Sequence, residues 1–324
     1  MKAIMISAYG GADVLKLTDT GPLMKPGPGQ ALVKIHAAGI NFVDIYQRRG
    51  IYPVKLPYIP GLEAAGVVET VGEKVTELRP GDRVAYTGHL GSYSEYATID
   101  ISRLIPLPDG LSFAEGAAFP LQGMTAHYLI HEFRKLEPGN TVLVHAAAGG
   151  VGGLLVQWAK HLGALVIGTV GANEKVAAAR AAGADHVIIY TKQDFVAETK
   201  RLTGGRGADL ILDGVGKNTF PGDLEAVTVR GHVVIYGAAS GPADPIVPNN
   251  LMMKSISLSG GSLQNYTATR EELLLRSGNV LSAIKEGWMK LRIDCILPLA
   301  EADKAHRLLE GRQSKGKIVL KVVE

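Results

Sequence analysis

Cysteine is almost missing from this chain: 324 residues contain one, Cys295. A lone thiol closes no internal disulfide and builds no multi-cysteine zinc site, and it points to a reducing setting such as the cytoplasm. Long apolar runs are missing too. No stretch approaches the roughly 18 uncharged apolar residues of a membrane span. Charge of one sign is also scarce: 34 Lys and Arg against 31 Asp and Glu leave +3. That charge is dispersed, which argues against a nucleic-acid partner, since such binding wants a basic face or stripe. The opening MKAIMISAYG has no apolar core or small-residue cleavage site, so it reads as a strand and not as a signal peptide. Glycine is what the chain has in excess. Forty of them exceed the usual share of about 7%, without the period that collagen requires. The hydrophobic fraction of 46% suits a chain that buries real cores. At roughly 100–200 residues per domain, the length predicts two domains.

Up to about residue 120 the pattern is short β-rich runs broken by turns. MKAIMIS, QALVKIHAAGI, GVVETVG and DRVAYT read as strands, with GPLMKPGPGQ, GEKVTELRPGD and GHLGS as connections. That spacing suggests a small antiparallel barrel. Asp109-Gly110 then marks a turn, and Ser112 with Glu115 reads as a capping box opening one long helix. From about residue 139 strand and helix alternate. TVLVH (141–145), ALVIGTV (164–170), HVIIY (186–190), ADLILDGV (208–215), HVVIYG (232–237) and SISLSG (255–260) are the strands. Helices are expected from the glycine run to about 162 and over 173–182, 192–202 and 217–229. This is the sequence form of βαβ units on a parallel sheet covered on both faces. A helical segment, REELLLRSGNVLSAIKEG, and a last strand, KIVLKVV, follow.

The most informative local feature is TVLVHAAAGGVGGLLVQWAKHLGA (141–164), where a buried strand runs into a glycine-rich turn and then a helix. Ala147-x-Gly149-x-x-Gly152 has the dinucleotide spacing, with alanine at the first glycine position. Ala148, Gly149, Gly150 and Val151 bring backbone close to a pyrophosphate, and Gly152 lets helix pack on strand. The helix N-terminus adds unpaired N–H groups and partial positive charge. An NAD site usually carries Asp or Glu about 20 residues on, at the end of the second strand. Here Gly171 stands in that place and Lys175 follows within one helical turn, which favours the 2′-phosphate of NADPH. Tyr190, ending the third strand, is read as a further contact.

In order and spacing, five blocks resemble the zinc-free NADPH:quinone oxidoreductases (the zeta-crystallin-like group) of the medium-chain dehydrogenase/reductase superfamily. They are AAGINFVDIYQRRGIYP (37–53), PGLEAAGVVETVGEKVTELRPGDRVAY (60–86), GAAFPLQGMTAHYLI (116–130), HAAAGGVG (145–152) and GTVGANEK (168–175). The resemblance implies an α/β protein: a GroES-like β-barrel catalytic domain plus a Rossmann doubly wound parallel sheet. The barrel would take residues 1–123 and 262–324, with the NADPH-binding domain over 124–261 inserted between. Zinc-dependent members carry cysteine at the Asn41 position and histidine at the Leu62 position. An amide and an isobutyl group replace neither thiolate nor imidazole on zinc, so no metal is expected. The histidines are read as offering no other metal site, with His127 and His145 as core residues.

The resemblance also places residues. Asn41 would hold cofactor or acceptor, Tyr46 would donate a hydrogen bond or proton, and Tyr52 would form an aromatic wall. Gln122 and Thr125 fall near the nicotinamide. Gly216, Tyr236, Gly237, Ala238, Gly261, Ser262 and Leu263 lie on loops after later strands. Lys317 would close over the cofactor, and the substrate would enter between the domains. The activity implied is NADPH-dependent reduction of a quinone or similar conjugated carbonyl. One alternative is reduction of an enone, enal or enoyl thioester. Another is a non-catalytic NADPH-binding or RNA-binding protein. The strand at 255–260 reads as a sheet edge, and an exposed edge invites pairing, so a homodimer through it is expected.

Overall fold

The computed structural model describes residues 1–323 except Pro22 and Met24. The connection read over 21–30 therefore includes two residues outside the described ones, and Glu324 is also outside. The strands are β1 (Lys2–Met5), β2 (Lys16–Asp19), β3 (Gln30–Gly39), β4 (Glu63–Val71), β5 (Arg83–Thr87), β6 (Tyr96–Asp100), β7 (Leu104–Pro106) and β8 (Thr141–Val144). Then follow β9 (Leu165–Val170), β10 (His186–Ile189), β11 (Ala208–Asp213), β12 (Val227–Ile235), β13 (Ser257–Gly260), β14 (Ile293–Pro298) and β15 (Lys317–Lys321).

Two units emerge, Met1–Leu121 with Thr267–Ser277 and Leu291–Glu324, and Gln122–Tyr266 with Gly278–Lys290. Residues 278–290, inside the segment expected to return to the first domain, thus cluster with the second unit. Val280 packs on Gly123, and Gln157 bonds the backbone of Lys290 at both its carbonyl and its N–H.

In the first unit β3 organises a seven-stranded sheet, six strands in the order β14-β15-β3-β4-β5-β7 and β6 paired with β3 off that path. Its ten residues allow two partners on one side. Gln30–Lys34 pair with β6 and Ala37–Gly39 with β15, while β4 runs along the other side. Val33, Ile35, Ile99, Tyr86, Ile318 and Leu320 from these strands meet in one core. Strands β2, β6, β7 and β14 were not separate in the sequence pattern. They are short, and β14 alternates between half-buried and exposed positions.

The helix expected as one piece after Ser112 is two. The capping box forms, with Ser112 N–H and hydroxyl on Glu115 Oε2, but Phe113–Gly116 ends there and Pro120–His131 begins anew. Proline has no N–H and fits a first helical turn, so the chain restarts at Pro120. Likewise the helix expected over 217–229 stops at Ala226, because β-branched Val227, Thr228 and Val229 open β12.

In the second unit six parallel strands take the order β10-β9-β8-β11-β12-β13. This is the doubly wound order of a dinucleotide fold, with the reversal beside β8, where such sheets bind ligands. Strands β8 and β11 are buried throughout, as their uninterrupted apolar runs require. Among the described residues no helix is long and apolar enough to cross a membrane.

Candidate active site

The glycine-rich turn sits at the carboxyl end of β8. Ala146 is held at φ 51°, and the helix Gly150–His161 starts immediately after Gly149. The N–H groups of that helix's first turn have no carbonyl four residues back within it, so they face whatever lies beyond the strand end. Gly152 is fixed by contact: a Cβ there would lie 2.2 Å from the Ala146 carbonyl oxygen. A Cβ on Gly150 would lie 2.1 Å from the Gln122 amide, so two expected cofactor contacts, distant in sequence, are neighbours.

Apart from Thr125, the remaining expected positions of this unit lie at the carboxyl ends of successive strands of the sheet. Gly171 follows β9, and a Cβ there would touch the Tyr190 hydroxyl at 3.3 Å. Lys175 ends the short turn Asn173–Lys175, half-buried, one residue past exposed Glu174. Gly216 adopts φ 85° after β11, and its missing side chain leaves room for Gly237, Ala238 and Gly241. Tyr236 lies over Gly214. Gly261, ahead of Ser262 and Leu263, packs on Tyr128 and Phe133, and Tyr128 stacks on Tyr266 at 4.4 Å. Thr125 is buried in Pro120–His131.

His145, expected as a core residue, belongs to a buried polar group with Thr169 and Asp223. His145 is fully buried, with Nδ1 2.8 Å from Thr169 Oγ1 and Nε2 2.7 Å from Asp223 Oδ1. Burial opposes charge on its ring, but the Asp223 carboxylate outweighs that and raises its pKa. Asp213 accepts from the N–H groups of Val215 and Gly216 and from Thr219 Oγ1, so it shapes the turn holding Gly216. His127 and His131 stand one helical turn apart, with ring centroids 4.6 Å apart, a spacing the sequence reading passed over. His127 Nε2 is engaged by Asn279.

In the first unit Asn41 precedes the helix Phe42–Arg48 and is nearly fully buried. Its amide is engaged at both ends: Oδ1 accepts from Lys317 Nζ at 2.7 Å, and Nδ2 donates to Glu63 Oε2 at 2.9 Å and Gly39 O at 3.3 Å. Lys317 and Glu63 form a buried ion pair, and Glu63 Oε1 also accepts from Leu121 N–H at 2.7 Å. A Cβ on Gly39 would lie 2.1 Å from Ala117 O and under 3 Å from both charged side chains, so glycine makes the space for the pair. Glu63 is missing from the residues the sequence singles out, although GLEAAG displays it.

Tyr46 and Tyr52 meet edge to face at 5.4 Å, with Phe42 6.2 Å from Tyr46. Ile51 and Tyr52 N–H both donate to Tyr46 O, and Ile51 and Tyr52 are more than half exposed. The result is an open aromatic surface on one short helix and its following turn.

The donor set does not fit zinc. Neither the Asn41 amide nor the Leu62 isobutyl group can replace a thiolate or an imidazole on zinc, and the Glu63 carboxylate is already paired with an ammonium. Among the described residues no three His, Cys, Asp or Glu side chains converge on a metal position. The sheet edge does fit a dinucleotide: backbone closely approached through glycine, a helix N-terminus, and no carboxylate at Gly171.

A parallel doubly wound sheet with such an edge, in one chain with a unit built on a β3-centred sheet, defines a dehydrogenase/reductase of the GroES-plus-Rossmann class. Residues 27–109 match the alcohol dehydrogenase GroES-like domain, and residues 150–277 match the zinc-binding dehydrogenase domain. A quinone oxidoreductase of Pseudomonas aeruginosa is 41% identical over 98% of this chain and 99% of its own. The 2-haloacrylate reductase of a Burkholderia species is 42% identical over 91% of each. An Escherichia coli quinone oxidoreductase solved with NADPH superposes with a TM-score of 0.96 at 38% identity, covering 99% of this chain and 100% of that one. The chain belongs to the quinone oxidoreductase family.

Proposed function

We propose that this protein reduces quinones by hydride transfer, with NADPH as donor and without zinc. The observation that carries the reading is the polar centre of the first unit. Where zinc-dependent members place metal ligands, this chain places an amide held by a buried Lys317–Glu63 pair. Bound NADPH supplies the hydride. The first turn of Gly150–His161 holds the pyrophosphate, with Ala148, Gly149, Gly150 and Val151 as its cradle. Gly171, Tyr190 and Lys175 hold the adenosine end. Gln122 and Thr125, with the loops at Gly216, Tyr236–Ala238 and Gly261–Leu263, would complete the cofactor contacts of this unit. Tyr52 and Phe42 offer flat apolar surface to a flat acceptor. Tyr46 gives the proton that the reduced acceptor needs, from a phenol ordinarily protonated at neutral pH. A quinone delocalises the incoming charge, so hydrogen bonds suffice where an unactivated ketone would need a Lewis acid.

Anaerobic NADPH oxidation should proceed with quinones and be unaffected by chelators. Oxidation confined to enones, enals or enoyl thioesters would favour the second reading, which the 2-haloacrylate reductase relative supports. NADPH binding without turnover of any acceptor would favour a non-catalytic protein. In the same assay Tyr46→Phe should lower turnover on the order of 10²-fold, the lower range for a general acid. Unchanged turnover removes Tyr46 from the proton step.

Lys175→Ala should weaken NADPH binding about 10–100-fold and NADH binding little, as expected for one charge-assisted contact to a phosphate. Equal losses in fluorescence titrations would refute the 2′-phosphate assignment. We place the protein in the cytoplasm, which the single cysteine supports. We further propose a homodimer joined through β13, an edge strand flanked by exposed Met252 and Met253. Light scattering showing a monomer at micromolar concentration would contradict it.

A further inference from the structure

The helix Phe42–Arg48 carries a second buried polar chain. Asp44 and Arg48, one turn apart, have no exposed surface. Asp44 Oδ2 accepts from Asn41 N–H at 2.8 Å and from the Tyr93 hydroxyl at 2.9 Å. The Tyr93 oxygen is 3.1 Å from His306 Nε2, and His306 Nδ1 is 3.3 Å from Arg48 Nη1. Arg48 Nη2 donates to Glu310 at 2.8 Å, and its Nε to Gly10 O.

Donor and acceptor roles follow from the one group that has no choice. Guanidinium only donates, so His306 Nδ1 accepts and its proton sits on Nε2. Burial and the Arg48 charge push the imidazole down to about 3, which keeps it in that neutral form. Nε2–H therefore donates to the Tyr93 oxygen, and the Tyr93 hydrogen is left for Asp44. Every donor along the chain points the same way and the series ends on one carboxyl. Its other oxygen, Oδ1, is buried without a hydrogen-bond partner.

We propose that Asp44 is a positioning residue for the reduction: its negative charge, oriented by Tyr93, His306 and Arg48, grips the Asn41 backbone and so keeps the Asn41 amide on Lys317. The assignment rests on the proposed function for its kinetic consequence, but not for its geometry. Tyr93, Tyr58, His306, Arg48, Lys317 and Glu63 are the titratable or charged groups around the carboxyl. Burial lifts Asp44 to about 7 against the Asn41 N–H, the Tyr93 hydroxyl and the Lys317 charge, while Glu63 adds to the rise. The grip is therefore full above neutral pH and weakens as the carboxyl takes its proton below it.

Three variants and two readouts test this. Wild-type kcat with quinone should fall as pH drops through about 7, with the KM for NADPH little changed. Asp44→Asn keeps shape and an acceptor but loses charge. It should lower kcat at pH 8 on the order of tenfold and abolish that limb. Tyr93→Phe removes one donor to the carboxylate and should move the limb to higher pH. Independently of turnover, the Asn41 side-chain amide resonance, assigned by its loss in Asn41→Gln, should titrate near pH 7 in wild type and not in Asp44→Asn. An Asp44→Asn profile matching wild type, or an amide that does not titrate, overturns the proposal. If no quinone is turned over at all, the functional reading fails, and the amide titration still decides the role of Asp44.

Discussion

Lys317→Met should destabilise the first unit by about 3–5 kcal/mol, because removing one partner leaves the other as an uncompensated buried charge. Lys317 and Glu63 are both essentially without solvent exposure, so no water replaces the ammonium around the carboxylate. Glu63 would keep only the Asn41 amide and the Leu121 N–H. At roughly 2–4 °C per kcal/mol for a unit of this size, the melting temperature should fall by about 6–20 °C. A second substitution, Glu63→Gln, removes the stranded charge and should recover most of the loss, since contacting residues are not additive. Melting of Lys317→Met within 2 °C of wild type at pH 8 would show that the pair carries no such burden.

The second unit was the more legible part of the chain, for a physical reason. The inner parallel strands are covered on both faces, so they read as unbroken apolar runs, and the connections between them cross the sheet as helices. TVLVH, ALVIGTV and ADLILDGV announce themselves in this way. The first unit is harder. Strands as short as Leu104–Pro106 have too few residues to display alternation, and Ile293–Pro298 lies between two helical patterns. Pro120 is visible in the sequence, but a proline can kink a helix or start one, and only the packing decides which.

The site divides along similar lines. Gly149, Gly150 and Gly152 were legible because spacing alone relates them to one another. Asn41 and Leu62 were legible through the chemistry of what they cannot bind. Glu63 and Asp44 were not, since a carboxylate in a sequence reads as solvated until its burial is known. The Tyr93–His306 contact joins residues 213 positions apart, and no local pattern records it. Lys317 is the instructive case. The resemblance gives it a place near the cofactor, yet the ion pair that fixes its ammonium depends on Gly39, whose role shows only where β3, β15 and the Glu63 side chain meet.

Gly152→Ala should abolish tight NADPH binding, with a loss of 100-fold or more, equivalent to about 2.7 kcal/mol. The new Cβ would lie 2.2 Å from Ala146 O, 2.8 Å from Ala146 C and 3.1 Å from Ala147 Cα. All three are backbone atoms, so no side chain can swing aside. Ala146 is already at φ 51°, which leaves the loop little freedom to retreat. The helix must therefore shift away from the β8 turn, and its first-turn N–H groups shift with it. Gly153 supplies the control, because a Cβ there meets nothing closer than Ala147 O at 3.8 Å. Alanine is the better helix former by about 0.8–1 kcal/mol, so Gly153→Ala should bind NADPH normally and melt slightly higher. Comparable losses in both variants would mean that the loop needs glycine for mobility and not for close approach. A Gly152→Ala protein that binds NADPH like wild type would remove the turn from the cofactor site altogether.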